Sequence, residues 1–159
     1  MSIIEVQSVS YSYPDSSERA LNELSLSVQE GDFVGIVGPS GAGKSTLALA
    51  LSGAIPHHFR GSFFGKILVA GMDTCTVALT DISKIVGSVT QDINAQMVAS
   101  IVEDELLFGL ENFAVPHAEI PERITYALET VGIANLRFRE IASLSGGQKQ
   151  KVAIAALLA

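Results

Sequence analysis

The sequence predicts an α/β fold in three parts. These are an antiparallel β segment at the N-terminus, a phosphate-binding strand–loop–helix unit, and a helical insert leading into a second glycine-rich helix start. Three observations predict it. The first thirty residues alternate apolar and polar side chains. Residues 33–46 read as an apolar run, a glycine-rich loop and the opening of a helix. Beyond residue 98 the apolar period becomes helical.

Size and composition allow such a fold. A chain of 159 residues can bury a sizeable core, and 48% apolar with 17% charged residues excludes disorder. Ten basic against seventeen acidic residues give a net charge of −7. That balance speaks against a nucleic-acid-coating surface, while leaving room for a local phosphate site. The single cysteine, Cys75, excludes an internal disulfide framework and fits a reducing compartment. No apolar run approaches the roughly 18 to 20 residues that span a bilayer. The opening MSIIEVQSVS carries an early Glu and no basic region, so it is not expected to be a signal peptide. A membrane role would therefore need a membrane-spanning partner.

The elements follow in order. Gln7, Val9, Tyr11 and Tyr13 are expected on one face of a first strand, with Ser8, Ser10 and Ser12 on the other. Leu24, Leu26 and Val28 alternate with Ser25, Ser27 and Gln29, so a second strand is expected, antiparallel to the first across the turn-rich PDSSE. FVGIVG, residues 33–38, is a short continuous apolar run, the pattern of a strand buried on both faces. Leu47, Ala50, Leu51 and Ala54 then fall at helical spacing. KILVA (66–70) and KIVGSVT (84–90) read as further strands. Ser100 and Glu103 form a candidate capping box for a helix whose stripe is Val102, Leu106, Leu110 and Phe113. A second helix is expected from Pro121, with Ile124, Leu128 and Val131 on one face and Gly132 as its stop.

Residues 38–46, GPSGAGKST, match G-x-x-x-x-G-K-[ST] in full. They follow an apolar run and precede a helix, the context that makes the pattern a site. Gly38, Pro39, Ser40, Gly41, Ala42 and Gly43 form a loop whose backbone N–H groups can turn inward as an anion nest. The helix start behind it adds a partial positive charge. Lys44 is expected to reach the β- and γ-phosphates, and Ser45, followed by Thr46, to ligate Mg²⁺. This loop alone serves kinases, GTPases, helicases and transport motors alike.

LSGGQ, residues 144–148, discriminates among them. Ser145 and Gln148 have the S-x-x-Q spacing of a capping box, and Gly146 and Gly147 remove side chains that would shield the first-turn N–H groups. With these two motifs the chain resembles the ATP-binding cassette ATPases, the motors of ABC transporters, whose signature is LSGGQ. The resemblance covers essentially the whole chain. It implies a P-loop NTPase fold with the RecA-like core of that family, an N-terminal antiparallel β subdomain and a helical subdomain. The expected bounds are 1–98 for the β subdomain with the P-loop core, 99–142 for the helical subdomain and 143–159 for the signature and its helix.

The resemblance further implies a homo- or heterotypic dimer in which each ATP lies between one domain's phosphate loop and the other's signature. Ser145, Gly146, Gly147 and Gln148 would then be the contacts in trans. Gln91, in VTQD at an expected strand end, would be the glutamine that meets Mg²⁺ and senses the membrane partner, although Thr90 stands where the family often has an aromatic. Tyr13 would stack on adenine, with Tyr11 as its competitor.

VSYSYPD, GAIPHHF, LVAGMDT, QDINAQ and EDELLFGLEN are most similar to energy-coupling-factor importers of vitamins and transition metals. That likeness implies a second ATPase, a transmembrane coupling subunit, a substrate-binding membrane subunit and a peripheral place on the cytoplasmic face of the membrane.

Other polar residues are expected to be structural. His57 and His58 are adjacent, without a third ligand at useful spacing. IVEDE (101–105) sits behind a helical cap, and Asp73, Asp81 and Asp92 are lone loop acids. In the family the catalytic acids come from the Walker B strand, beyond the signature helix, and a switch histidine follows them. Residues 149–159, KQKVAIAALLA, contain no acid, so no catalytic residue is expected in this chain. Val152, Ile154, Ala155, Leu157 and Leu158 wrap most of that helix, which therefore expects cover on several sides. The chain reads as the N-terminal piece of a longer ATPase. The alternative is a short non-hydrolytic module that pairs with an intact ATPase. A DNA-acting cassette is disfavoured by the acidic charge and by the absence of heptads between Gln91 and the signature.

Overall fold

The computed structural model describes residues 2–159. They form two compact units, one running to Gly87 and the other comprising Ser88–Ala159. Among the described residues no helix is long and apolar enough to cross a membrane.

The first unit rests on a four-stranded antiparallel sheet in the order β2-β1-β3-β4. Its strands are β1 (Ser2–Ser12), β2 (Leu21–Gln29), β3 (Ser62–Val69) and β4 (Met72–Asp73). The helices are α1 (Lys44–Leu51) and two single turns, α2 (Ala54–His57) and α3 (Leu79–Ile82). Leu47 and Ala50 of α1 are buried in one cluster with Val9 and Tyr11 of β1 and Ile67 of β3, so the helix after the glycine-rich loop is packed onto the sheet. Ala54, expected in that helix, falls in α2, because Gly53 takes a left-handed φ of 75° and ends the first run. On β2, Leu24, Leu26 and Val28 are half-buried and alternate with exposed neighbours, as the pattern predicts.

On β1 the predicted alternation breaks. Val6 and Val9 are both buried although they stand three positions apart, and Gln7 is exposed. The register shows why. Val6 faces Leu26 and Val9 faces Leu24, so β1 carries one residue more than β2 over this stretch. It also carries one more than β3, where Gln7 faces Lys66 and Ser10 faces Phe64. This is a β-bulge, with Ser8 at φ 48°. Gly65 lies opposite, at φ 89°, where a Cβ would stand 2.6 Å from the Gln7 carbonyl oxygen. Serine hydroxyls take up backbone donors here. Ser25 Oγ accepts from the Ser8 N–H and Ser10 Oγ from the Glu23 N–H, each at 2.9 Å. The serines expected as a plain polar face are thus partly structural, and Ser10 is buried.

The expected strands at 33–38 and 84–90 do not form. Phe33 and Val37 are 101% and 94% exposed, and the run to Gly38 is irregular. Residues 85–90 are irregular too, so Gln91 follows a loop and not a strand end. A strand exists only through its ladder. Among the described residues no segment pairs with either run, and apolar composition alone cannot hold one extended.

In the second unit α5 (Val102–Asn112), α6 (Ile120–Thr130) and α7 (Gly146–Leu158) enclose a core of Val102, Leu106, Leu110, Ile124, Leu128 and Val152. Helix α6 has Pro in its first turn and ends before Gly132 at φ 68°, as predicted. The predicted start of α5 is wrong. Its N-cap is Ile101, and no side chain caps it. Its first amides instead donate to backbone: Val102 N–H to the Arg139 carbonyl at 3.1 Å and Glu103 N–H to the Arg137 carbonyl at 2.9 Å. Glu103, expected to cap, accepts from Arg137 Nε at 2.9 Å. Phe113 lies beyond the helix and is 53% exposed, outside the stripe. A single turn α4 (Ile93–Gln96) precedes these helices.

The packing stripe has a direct test. Leu106→Ala should lower the unfolding free energy by about 2–5 kcal/mol. Phe113→Ala should stay within about 0.5 kcal/mol of the parent in urea unfolding. Equal losses would contradict the packing described.

Candidate functional site

The glycine-rich loop is placed by the β1–β2 hairpin. Ala20, at the foot of β2, is held by its N–H to the Tyr11 carbonyl at 2.8 Å. A Cβ on Gly43 would stand 2.3 Å from the Ala20 carbonyl oxygen, and Gly43 has φ 85°. Only glycine allows both the contact and the backbone turn. Gly43 is the N-cap of α1, and its carbonyl accepts the Leu47 N–H at 2.9 Å. Residues Gly38 to Ala42 are exposed, and Gly43 is half-buried. Lys44 folds back across the loop, with Nζ donating to the Gly38 and Pro39 carbonyls at 2.9 and 2.7 Å. Its ammonium thus rests on two neutral oxygens, which a phosphate would outcompete. Ser45 is exposed and Thr46 buried in the first turn of α1.

The two tyrosines separate clearly. Tyr11 is 1% exposed and donates its hydroxyl to the Arg60 carbonyl at 2.9 Å. Burial, and then neighbouring Tyr13, push its phenol up from the ordinary value. Tyr11 is therefore a core residue, unable to reach a base. Tyr13 stays half-exposed beside the loop, with its hydroxyl 3.2 Å from Thr46 Oγ1.

The second unit carries Gln91 and the second helix start. Gln91 is exposed and directly precedes Asp92. Asp92 Oδ1 accepts the Asn94 and Ala95 N–H groups at 3.1 and 3.2 Å and so opens α4. At the start of α7 the predicted capping box is complete. Ser145 Oγ accepts the Gln148 N–H at 3.4 Å, and Gln148 Oε1 accepts the Ser145 N–H at 2.9 Å. A Cβ on Gly146 or Gly147 would meet nothing within 4 Å. Packing does not demand those glycines. Their absent side chains leave the first-turn amides open.

Two positioning contacts had no signal in the sequence. Lys149 Nζ donates to Asn94 Oδ1 at 2.8 Å, which fastens α7 to the turn that follows Gln91. Glu105, mostly buried, accepts the Val98 and Ala99 N–H groups at 2.9 and 2.7 Å and pins the other end of that segment to α5. Other polar residues make local contacts. His57 Nε2 bonds the Thr74 carbonyl at 2.9 Å, which places its proton on Nε2. Among the described residues no group of His, Cys, Asp and Glu could hold a metal ion. Burial, and then Asp73, push the Cys75 thiol up, so it stays protonated.

A glycine-rich loop on the N-terminus of a packed helix, with a second glycine-opened helix start later in the chain, defines the nucleotide-binding domain of the P-loop class. The chain belongs to the ABC transporter family, whose profile matches residues 21–159. It is 42% identical over 157 residues to a protein of Methanosarcina acetivorans named energy-coupling factor transporter ATP-binding protein EcfA, covering 98% of this chain and 55% of that one. It is similar in structure to cbiO1 of Clostridium perfringens, described as part of the ABC transporter complex cbiONQ. The TM-score is 0.85 at 31% identity, over 99% of this chain and 61% of the other. It is also similar to the ATP-binding cassette MJ0796, solved as a dimer in a post-hydrolysis state with ADP and Pi. There the TM-score is 0.77 at 26% identity, over 98% and 68% of the two chains. The chain spans about half the length of curated relatives such as EcfA.

Two substitutions test the local geometry. Gly43→Ala combines a clash with left-handed strain and should destabilise the first unit more than Gly41→Ala. The latter has open space and only the strain, about 1–2 kcal/mol. Ser145→Ala should cost about 0.5–2 kcal/mol through the lost cap, read as a lower midpoint for the second unit in urea.

Proposed function

We propose that this chain is the ATP-binding part of an ABC transporter subunit that couples ATP binding and hydrolysis to import of a small solute. A vitamin or a transition metal is the favoured cargo. One observation carries the reading. A phosphate loop closed by its own lysine on two carbonyls occurs in the same chain as a fully capped helix start whose glycines are not needed for packing. Each is an anion site by its backbone donors. The names of EcfA and of the cbiONQ complex support an importer of the energy-coupling-factor type.

In this reading the loop amides from Gly38 to Gly43 cradle the phosphates, and Lys44 leaves its carbonyls for the β- and γ-oxygens. Tyr13 lies beside the base. Ser45 and Gln91 offer a hydroxyl and an amide oxygen, hard neutral donors suited to Mg²⁺ that is held chiefly by phosphate. Bound Mg²⁺ would neutralise charge on the phosphate oxygens. Ser145 to Gln148 of one domain complete the site of a second ATPase domain, identical or not, and the dimeric MJ0796 cassette supports that pairing. The partners are a transmembrane coupling subunit and a substrate-binding membrane subunit, which place the chain peripherally on the cytoplasmic face. No nucleic acid is involved. No carboxylate of this chain is assigned the activation of water. Glu103 and Glu105 are engaged by Arg137 and by backbone amides, and the IVEDE segment is helical.

A second reading has its own support. The helix start of α7 is complete, whereas the run before the phosphate loop lacks a strand partner. A non-hydrolytic module that lends its Ser145–Gln148 helix to an intact ATPase fits that contrast.

Titration of the 159-residue chain with MgATP, followed by amide NMR, should show weak binding centred on residues 38–46. Lys44→Ala should abolish it. Phosphate release should not exceed that of the Lys44→Ala control, and release above the control would overturn the assignment. Co-purification with a complete ATPase domain, without turnover by this chain, would favour the second reading.

A further inference from the structure

The Tyr13 hydroxyl lies 3.2 Å from Thr46 Oγ1, in the first turn of α1. Stacking on a base uses the face of a ring and has no need of its hydroxyl. We propose that Tyr13 is a positioning residue for the phosphates, acting through Thr46, in addition to any contact with the base. This rests on the nucleotide-binding reading above.

The geometry clamps the Tyr13 ring at its side and at its tip. Its side meets Tyr11 edge-on, with centroids 4.9 Å apart and planes at 80°. Tyr11 is itself immobile, since its hydroxyl is held by the Arg60 carbonyl at 2.9 Å. Gly61 lets that loop approach, because a Cβ there would stand 2.4 Å from the Ser12 carbonyl and 2.7 Å from Tyr11. The tip of Tyr13 then meets Thr46. A threonine in a helix has two χ1 wells, one of which turns its hydroxyl back onto the preceding turn's carbonyls. A phenol fixed from β1 selects the rotamer that faces it. Thr46 is buried and directly follows Lys44 and Ser45 in the first turn of α1, so holding its hydroxyl fixes one polar group at the phosphate end of that turn. The sheet thus reaches the phosphate end of the site through one hydroxyl pair.

Inorganic tripolyphosphate with Mg²⁺ tests this, since it has no base to stack. Tyr13→Phe keeps the ring and removes the hydroxyl. It should weaken tripolyphosphate and ATP alike, by about fivefold, the worth of one hydrogen bond. The same change should have no effect in a Thr46→Val background and its full effect in a Thr46→Ser background, since serine keeps the hydroxyl. If Tyr13→Phe leaves tripolyphosphate affinity unchanged while Lys44→Ala abolishes it, Tyr13 serves the base alone and the inference fails. If the parent chain binds tripolyphosphate no better than Lys44→Ala, the nucleotide-binding reading itself fails, and this inference with it. Should Tyr13→Phe not fold, Thr46→Val against Thr46→Ser reads the same bond from its other end. Equal affinities for those two variants would overturn the inference.

Discussion

The first unit depends on the close approach of Gly43 to the backbone of Ala20. Strand β1 pairs with both β2 and β3, and its hairpin return carries Ala20 under the phosphate loop. The loop itself is exposed and makes few bonds of its own. Its aim is therefore set from outside, by the hairpin beneath Gly43 and by Leu47 and Ala50 packed on the sheet. A larger side chain at residue 43 would lift the loop from the hairpin that helps to orient it.

The second unit solves a similar problem with different means. Its helix starts are satisfied in two ways. Helix α7 uses its own side chains, in a local box confined to Ser145 and Gln148. Helix α5 uses the carbonyls of Arg137 and Arg139, which reach it only once the chain has folded back. A tertiary contact of this kind is cooperative. Losing the 137–141 segment would unpair α5, release Glu103 from Arg137 and loosen the Glu105 anchor together. The stretch bearing Gln91 is held at its far end by Glu105 and in its middle by Lys149, so it inherits the rigidity of two helices.

Legibility in the sequence followed this same division. The phosphate loop and the Ser145–Gln148 box could be read because their physics lies within a few residues. So could β2, α6 and the stop at Gly132, where one face is buried and the period is regular. Ser100 and Glu103 have the right spacing for a cap, yet partners from residue 137 onward outcompete it. The bulge at Ser8 was invisible, because it is answered by Gly65 on another strand. The runs at 33–38 and 84–90 have strand composition without a strand, since composition states what a segment could bury and not whether a neighbour is present. Tyr11 and Tyr13 share a face in the pattern, but only the fold shows that Tyr11 is sealed by Arg60 and Gly61.

The bare run from Phe33 to Val37 has a thermodynamic consequence. Its side chains meet water and its backbone is unladdered. The drive to cover such a surface is entropic near room temperature and fades on cooling. Charge repulsion from a net −7 opposes association and is weakened by salt. The colloidal behaviour of the chain is therefore set by two opposed variables. Cold and low ionic strength keep molecules apart, and warmth and high salt bring these runs together.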